Sequence, residues 1–299
     1  MMGLEYFSFG DLWSPAFMIF MMVIVVLYTF VVGPWRHHFA GSAPVSASRQ
    51  LTFALAIALL YLTQGGPLSL LGHLMFTFHM TNMALAYMLV PPMLIYGIPD
   101  WLWRAAFGGD FWKKKIFRVL MNPIIGLLAF VMLFSLYHMP SNHDWIMTHF
   151  TIHRIYYALL FLSAMAMWWH VYCPIPEWRR MSHMLTLGYI FMSGLLLTPA
   201  CVMIIFAGKP LFGVYNDPEV WAKAMGYCVS GDPAQLLSQF EGPKFFNMMS
   251  ATDDQQLGGI VMKLLQEGIN VAALYTVFMQ WYRRDRSRDK DSVLEPAAE

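Results

Sequence analysis

The sequence predicts an all-α integral membrane protein, a bundle of seven transmembrane helices with its N-terminus outside and its C-terminus in the cytoplasm. Hydrophobic residues make up 58% of the 299 residues and charged residues only 12%, whereas soluble domains are about 45–50% apolar and about 25% charged. Several apolar runs are long enough for a bilayer core of about 30 Å, which needs roughly 20 residues per helix. Finally, Lys and Arg are concentrated in the loops of one side.

Seven apolar runs are predicted to be the spans. They cover residues of about 13–33, 50–66, 70–96, 119–139, 150–172, 182–207 and 257–282. The second run is short and reaches Gly65, Gly66 and Pro67, so we expect it to end there. Pro91 and Pro92 are expected to kink or end the third helix, because proline removes a backbone hydrogen bond.

The orientation follows from the positive-inside rule. With the N-terminus outside, 14 of the 19 Lys and Arg residues fall on the inner side. The inner residues are Arg36, Arg49, Arg104, Lys113, Lys114, Lys115, Arg118, Arg179, Arg180, Arg283, Arg284, Arg286, Arg288 and Lys290. Residues 1–282 form the predicted membrane domain, with an outer loop at about 208–256, and 283–299 form a charged cytoplasmic tail. The formal net charge of +1 provides no basic excess for nucleic acid.

Histidines are the unusual feature of the predicted outer end. Six of the ten histidines fall there, and ionisable residues at membrane depth indicate function. They are His73, His79, His138, His143, His149 and His153. On one straight helix, His73 and His79 are rotated apart by about 240°, so they cannot point at one atom. His149 and His153 are four residues apart and therefore share a helical face.

A soft-metal site is one interpretation of these histidines. Met83 follows His79 by one helical turn, and imidazole with thioether ligands favours copper, particularly Cu(I). We expect His79, His138 and His153 to approach each other from three helices. The alternatives remain open: Met83 can simply fill core space, and His143 taken alone is expected to be solvated or bonded to backbone.

A second polar block, TDDQQLGG at 252–259, precedes the last span. Asp254 can cap free N–H groups at a helix start, or it can complete a metal site with the histidines. Gln255 belongs to the same candidate set, and Gly258 permits close approach of another backbone. Glu267 and Asn270 lie inside the last span, where we expect them to be paired within the bundle.

The sequence shows no Ser–His–Asp set, nucleotide loop or cofactor-lysine signature, so we do not expect an enzyme. The alternative from another functional class is a transporter that moves copper through the bundle. A transporter requires polar residues along a continuous path through the middle of the membrane. The polar residues here are concentrated at the outer end, which favours docking and transfer at the surface.

Short blocks distributed along the chain resemble the CtaG family of Gram-positive cytochrome c oxidase assembly factors, predicted seven-span proteins. The blocks are Leu12-Trp13-Ser14-Pro15, GHLMFTFHM at 72–80, Pro91-Pro92 with Gly97, Asn122-Pro123, His138-Met139-Pro140, His153, Trp168-Trp169 and Asp254–Gly259.

The resemblance implies a role in maturing haem–copper oxidase in the bacterial plasma membrane, with copper delivery to its outward-facing centre. It implies oxidase subunits and membrane lipid as partners. It also implies a functional set consisting of His73, His79, His138, His153, Asp254 and Gln255.

Overall fold

A computed structural model describes residues 4–108, 119, 122–229 and 232–294, and helices account for most of them. The helices are α1 (Phe9–Trp13), α2 (Pro15–Val32), α3 (Ala47–Gln64), α4 (Pro67–Leu74), α5 (Phe76–Ala84), α6 (Val90–Gly97), α7 (Asp100–Phe107), α8 (Pro123–Tyr137), α9 (Pro140–Met147), α10 (Phe150–Tyr172), α11 (His183–Ile205), α12 (Pro218–Met225), α13 (Pro233–Phe240) and α14 (Ala251–Leu294). The basic residues Lys113, Lys114, Lys115 and Arg118, and residues 295–299 of the tail, lie outside the described residues.

The described residues confirm an all-helical membrane fold. Six helices are long and apolar enough to cross a membrane, and the number rises to seven if α8 and α9 form one bent span. The axes of these two helices differ by 83°. The described residues therefore contain six candidate spans plus one pair that is either a broken span or a re-entrant loop.

The second span differs from the sequence prediction. It continues from Ala47 to Leu74, and the chain turns at Met75 rather than near Pro67. Gly65 and Gly66 both donate their backbone N–H to the carbonyl of Tyr61, which satisfies the end of α3. Pro67 then opens α4 at a position where its missing N–H costs nothing, so the helix resumes after a two-residue break.

The third span also continues through its prolines. A π-helical turn at Leu85–Leu89 precedes α6, and Pro91 and Pro92 lie in the first turn of α6. Because the first N–H groups of a helix have no intrahelical partner, proline is tolerated there. From the sequence we expect a kink or a stop at these prolines. The helix shows only the π-helical turn before them, and the span extends to Gly97.

The segment between α11 and α14 folds onto one end of the bundle. Trp221 of α12 and Phe240 of α13 pack in one cluster with Leu74 at the end of α4. This agrees with the sequence expectation that the loop packs against the protein. The covered end carries the candidate histidines, and we call it the histidine end.

An ion pair lies at the opposite end of the bundle. Arg104 of α7 and Glu177 form an exposed ion pair at 2.9 Å. Helix α14 extends past Arg283 to Leu294, so the charged tail begins as a continuation of the last helix rather than as a separate segment.

Candidate functional site

The turn at Met75 places His73 and His79 on different helices. Met75 has an extended backbone, with φ −138° and ψ 133°, and separates α4 from α5. The straight-helix assumption that set the two histidines apart is therefore wrong. Helix α5 packs closely on α4, because a Cβ built on Gly72 would lie 2.6 Å from Asn82 Nδ2.

Asp254 of α14 provides the cap for the start of α5. Its Oδ2 accepts a hydrogen bond from Phe76 N at 2.7 Å, and its Oδ1 accepts from Thr77 N at 3.1 Å and from Thr77 Oγ1 at 2.6 Å. The side chain is buried, and a carboxylate at a helix N-terminus is stabilising. Of the two roles considered for Asp254, the geometry supports capping, and it caps a different helix from its own.

Gln255 and Gly258 also connect α14 to its neighbours. Gln255 Oε1 accepts from Leu211 N at 2.6 Å, and its Nε2 donates to Ile204 O at 3.3 Å. A Cβ on Gly258 would lie 2.7 Å from the ring of Phe76. Both residues hold the end of α11 and the start of α5 against α14, so their contacts are structural.

A central histidine cluster surrounds the ring of Tyr137. The ring centroid of His79 lies 5.2 Å from that of His143 and 6.2 Å from that of His138. All three imidazoles are buried, with exposures of 3%, 0% and 0% for His79, His138 and His143. We call these three residues the central cluster.

The Nε2 atoms of the central cluster have no hydrogen-bond partner among the described residues. In His138, Nδ1 lies 2.8 Å from the carbonyl of Phe134, so Nδ1 carries the hydrogen and Nε2 the lone pair. In His143, Nδ1 lies 3.5 Å from the carboxylate of Asp144, which favours the same tautomer. At least two buried imidazoles thus present a free lone pair.

A second pair of histidines lies on the α4 side. The ring centroids of His73 and His153 are 5.9 Å apart. His73 Nδ1 contacts the carbonyl of Ser69 at 2.8 Å, whereas His153 Nε2 is buried without a partner among the described residues. Both side chains line a pocket of about 420 Å³.

A small cavity of about 20 Å³ is lined by one histidine of the central cluster and one of this pair. Both His73 and His79 line it, together with Met83 and Asn82. Its volume is on the scale of a single water molecule. The thioether of Met83 therefore lies beside His79 as the sequence spacing suggested, and the packing role also considered for Met83 fits its burial.

The predicted joining of His79, His138 and His153 in one site stays a prediction, and the observed ring contacts give two groups. His79 and His138 lie together with His143, while His153 lies with His73. Among the described residues, no group of three or more His, Cys, Asp or Glu side chains is arranged to hold a metal ion. His149 points elsewhere, because its Nδ1 contacts the carbonyl of Trp145 at 2.6 Å on an exposed surface.

Sequence reasoning missed His143, which it expected to be solvated or bonded to backbone. The ring of Phe212, from the segment after α11, covers His143 at a centroid distance of 4.7 Å. The neighbouring Asp144 anchors that segment by accepting from Gly213 N at 2.8 Å and from Val214 N at 3.1 Å. The adjacent His–Asp pair was the available signal, since carboxylates commonly orient functional imidazoles.

Comparison with known proteins identifies one family. A family model described as cytochrome c oxidase caa3 assembly factor matches residues 26–284, which is most of the chain. No curated protein and no solved structure matches the chain.

Proposed function

The chain belongs to the family of cytochrome c oxidase caa3 assembly factors, and we propose that it holds Cu(I) as cargo for the copper centre of the oxidase. The unpartnered nitrogen atoms of the central cluster are the observation that carries this proposal. A buried polar atom without a hydrogen bond costs roughly 1–3 kcal/mol. Three such atoms around one ring give a bound cation nitrogen atoms to coordinate.

The chemistry of the central cluster suits a soft cation. Neutral imidazole and thioether favour Cu(I) over magnesium or calcium, which prefer oxygen ligands. A metal about 2 Å from each nitrogen holds the ring centroids of two imidazole ligands roughly 5–6 Å apart. The separations of 5.2 Å and 6.2 Å from His79 to its two neighbours are on that scale.

Copper would leave this site by exchange of ligands with an oxidase subunit. Such a transfer makes or breaks no covalent bond within the protein and needs no catalytic base. We therefore propose an assembly factor that is not an enzyme. Its partners would be oxidase subunits and membrane lipid in the bacterial plasma membrane.

We further propose that the membrane domain has seven spans, with the N-terminus outside and the C-terminus in the cytoplasm. The excess of basic residues at the end opposite the histidines supports this orientation. Reporter domains fused after Gly41 and after Glu299 should both report cytoplasm, and one inserted after Asn216 should report the exterior. The opposite result at Gly41 or Glu299 would contradict the orientation.

The copper proposal is tested by the variant His79→Gln, with His149→Gln as the matched control. Loss of one ligand lowers the copper content of the oxidase, and the affinity of the purified protein for Cu(I) falls at least tenfold. The abundance of the protein should be unchanged, because the surrounding apolar packing is kept. Copper staging here means that the central cluster holds Cu(I) for transfer to the oxidase. If the His79 variant keeps its affinity for Cu(I) and the oxidase keeps its copper content, copper staging at the central cluster is excluded.

A copper transporter is the second candidate. Polar side chains also lie midway along α14, where Lys263 contacts Thr198 Oγ1 at 2.8 Å and Glu267 Oε1 at 2.6 Å, and a transport path needs such residues. Copper uptake into sealed vesicles that contain only this protein would support transport. Copper that binds without crossing would support staging.

A further inference from the structure

The pocket of about 420 Å³ at the histidine end contains a thiol as well as two imidazoles. Cys228, His73 and His153 all line it, and exposed Arg154 and Tyr227 also lie on its wall. Because of these exposed side chains, the pocket connects to the surface. The central cluster, by contrast, is buried.

Cys228 differs from the other two cysteines of the chain. Cys173 and Cys201 are buried, whereas Cys228 is partly exposed, and all three are free thiols. Cys228 lines the same pocket as His73 and His153. Since Nδ1 of His73 donates to the Ser69 carbonyl, the remaining nitrogen of His73 carries a lone pair.

His73 is common to the open pocket and the small cavity. It lines both the 420 Å³ pocket and the 20 Å³ cavity, and His79 also lines that cavity. A cation held at His73 is therefore one side chain away from the central cluster.

We propose that Cys228, His73 and His153 form a loading site for Cu(I), from which the ion passes by ligand exchange to His79. On binding, the thiol of Cys228 releases its proton to solvent and the thiolate becomes a ligand, while copper stays Cu(I), so no oxidant or reductant is needed. Thiolate and imidazole are soft ligands that suit Cu(I). Cys228 and His153, whose Nε2 has no partner among the described residues, are the two ligands in the linear coordination that Cu(I) accepts, and His73 receives the ion on its way to His79.

The net charge of the occupied site also favours Cu(I) over a divalent cation. One thiolate with Cu(I) and neutral imidazoles carries no net charge, whereas a divalent ion on the same ligands leaves one uncompensated positive charge. An uncompensated charge is costly in an apolar surrounding. The guanidinium of Arg154 lies 5.4 Å from the ring centroid of Phe150, so this positive group is engaged at the wall of the pocket rather than by the thiol.

The test is alkylation of the purified full-length protein by a maleimide, with and without one equivalent of Cu(I) under anaerobic conditions. Peptide mass spectrometry reports the three cysteines separately, and buried Cys173 and Cys201 serve as internal controls for unfolding. We expect Cys228 to react first and Cu(I) to slow its labelling at least tenfold. His153→Gln should abolish most of this protection, and the matched control His149→Gln should retain it.

Two results would overturn the loading site. One is labelling of Cys228 at the same rate with and without Cu(I). The other is full protection in both His73→Gln and His153→Gln, which would show that the thiol binds copper without these histidines. If Cys173 or Cys201 reacts with the maleimide in His73→Gln, that variant has unfolded. The result with His153→Gln then decides alone whether the loading site exists.

This inference rests on the proposed cargo, yet the two can fail separately. If Cys228 is not protected while oxidase copper still depends on His79, the loading site is wrong and copper staging stands. If Cys228 is protected while oxidase copper is independent of His79, the Cu(I) site stands and its role in oxidase assembly is wrong.

Discussion

The carboxylate of Asp254 accepts the backbone hydrogen of Phe76 at 2.7 Å across 178 positions of sequence. Through this contact the last span determines where α5 begins, and therefore where His79 lies relative to His73. An acidic residue that looks from the sequence like a metal ligand thus contributes to the site by positioning a helix.

Asp254→Ala is expected to destabilise the protein rather than to remove a metal ligand. The variant leaves Phe76 N and Thr77 N without their acceptor, and loss of a helix cap costs about 0.5–2 kcal/mol, with a further penalty for buried donors. The measurement is the thermal midpoint in detergent. Asp254→Asn should be milder, because its amide oxygen still accepts; copper loss with an unchanged midpoint would instead restore Asp254 as a ligand.

Gly72→Ala should disturb the contact between α4 and α5. The new methyl group would lie 2.6 Å from Asn82 Nδ2 and 3.3 Å from His79 Cα, and overpacking of this kind costs about 1–3 kcal/mol. Gly188→Ala in α11 is the matched control, because nothing lies within 4 Å of the added Cβ and Ala favours a helix over Gly by about 1 kcal/mol. Equal thermal midpoints for the two variants would contradict the packing at Gly72.

The spans could be predicted from the sequence because a run of about 20 apolar residues is a local property. The turn at Met75 could not, since it depends on Asp254, which is distant in sequence, and on the close packing of Gly72 against α5. The break at Gly65 and Gly66 looked like the end of a span because Gly and Pro usually mark loops, but here the following proline restarts the helix.

In the candidate site, too, local features could be predicted from the sequence and contacts between distant segments could not. Helical spacing placed Met83 on the same face as His79, since residues four apart share a face, and both residues line the 20 Å³ cavity. The burial of His143 beside His79 was missed because it depends on tertiary structure. Burial of His143 requires the ring of Phe212 from a segment almost 70 residues away, and no periodic pattern within α9 reports that contact.

The ion pair of Lys263 and Glu267 in α14 should behave as a unit. The two side chains are 26% and 49% exposed, and the pairing agrees with the expectation that Glu267 is paired within the bundle. Glu267→Ala leaves the Lys263 ammonium with Thr198 Oγ1 as its remaining contact among the described residues, and a charge without its counter-ion in a membrane span is destabilising. Lys263→Met combined with Glu267→Ala should restore most of the lost abundance, and a double variant that is less abundant than the single one would contradict this coupling.

Asp144→Asn is expected to weaken Cu(I) binding by the central cluster without removing a ligand. The carboxylate contacts His143 Nδ1 at 3.5 Å and also accepts from the backbone of Gly213 and Val214. A neutral amide has only one acceptor oxygen, so the imidazole loses the charge that fixes its tautomer. Loss of such an orienting group typically lowers metal affinity about 10–100-fold.

Two measurements separate this effect on His143 from loss of the covering segment. Chelator competition gives the affinity for Cu(I), and limited proteolysis reports whether the residues after α11 remain packed over the cluster. We expect weaker binding with unchanged proteolysis, because Gln255 Oε1 still holds Leu211 N and keeps the segment in place. Faster cleavage would show that Asp144 acts by anchoring the segment, and unchanged affinity would show that it does not orient His143 for copper.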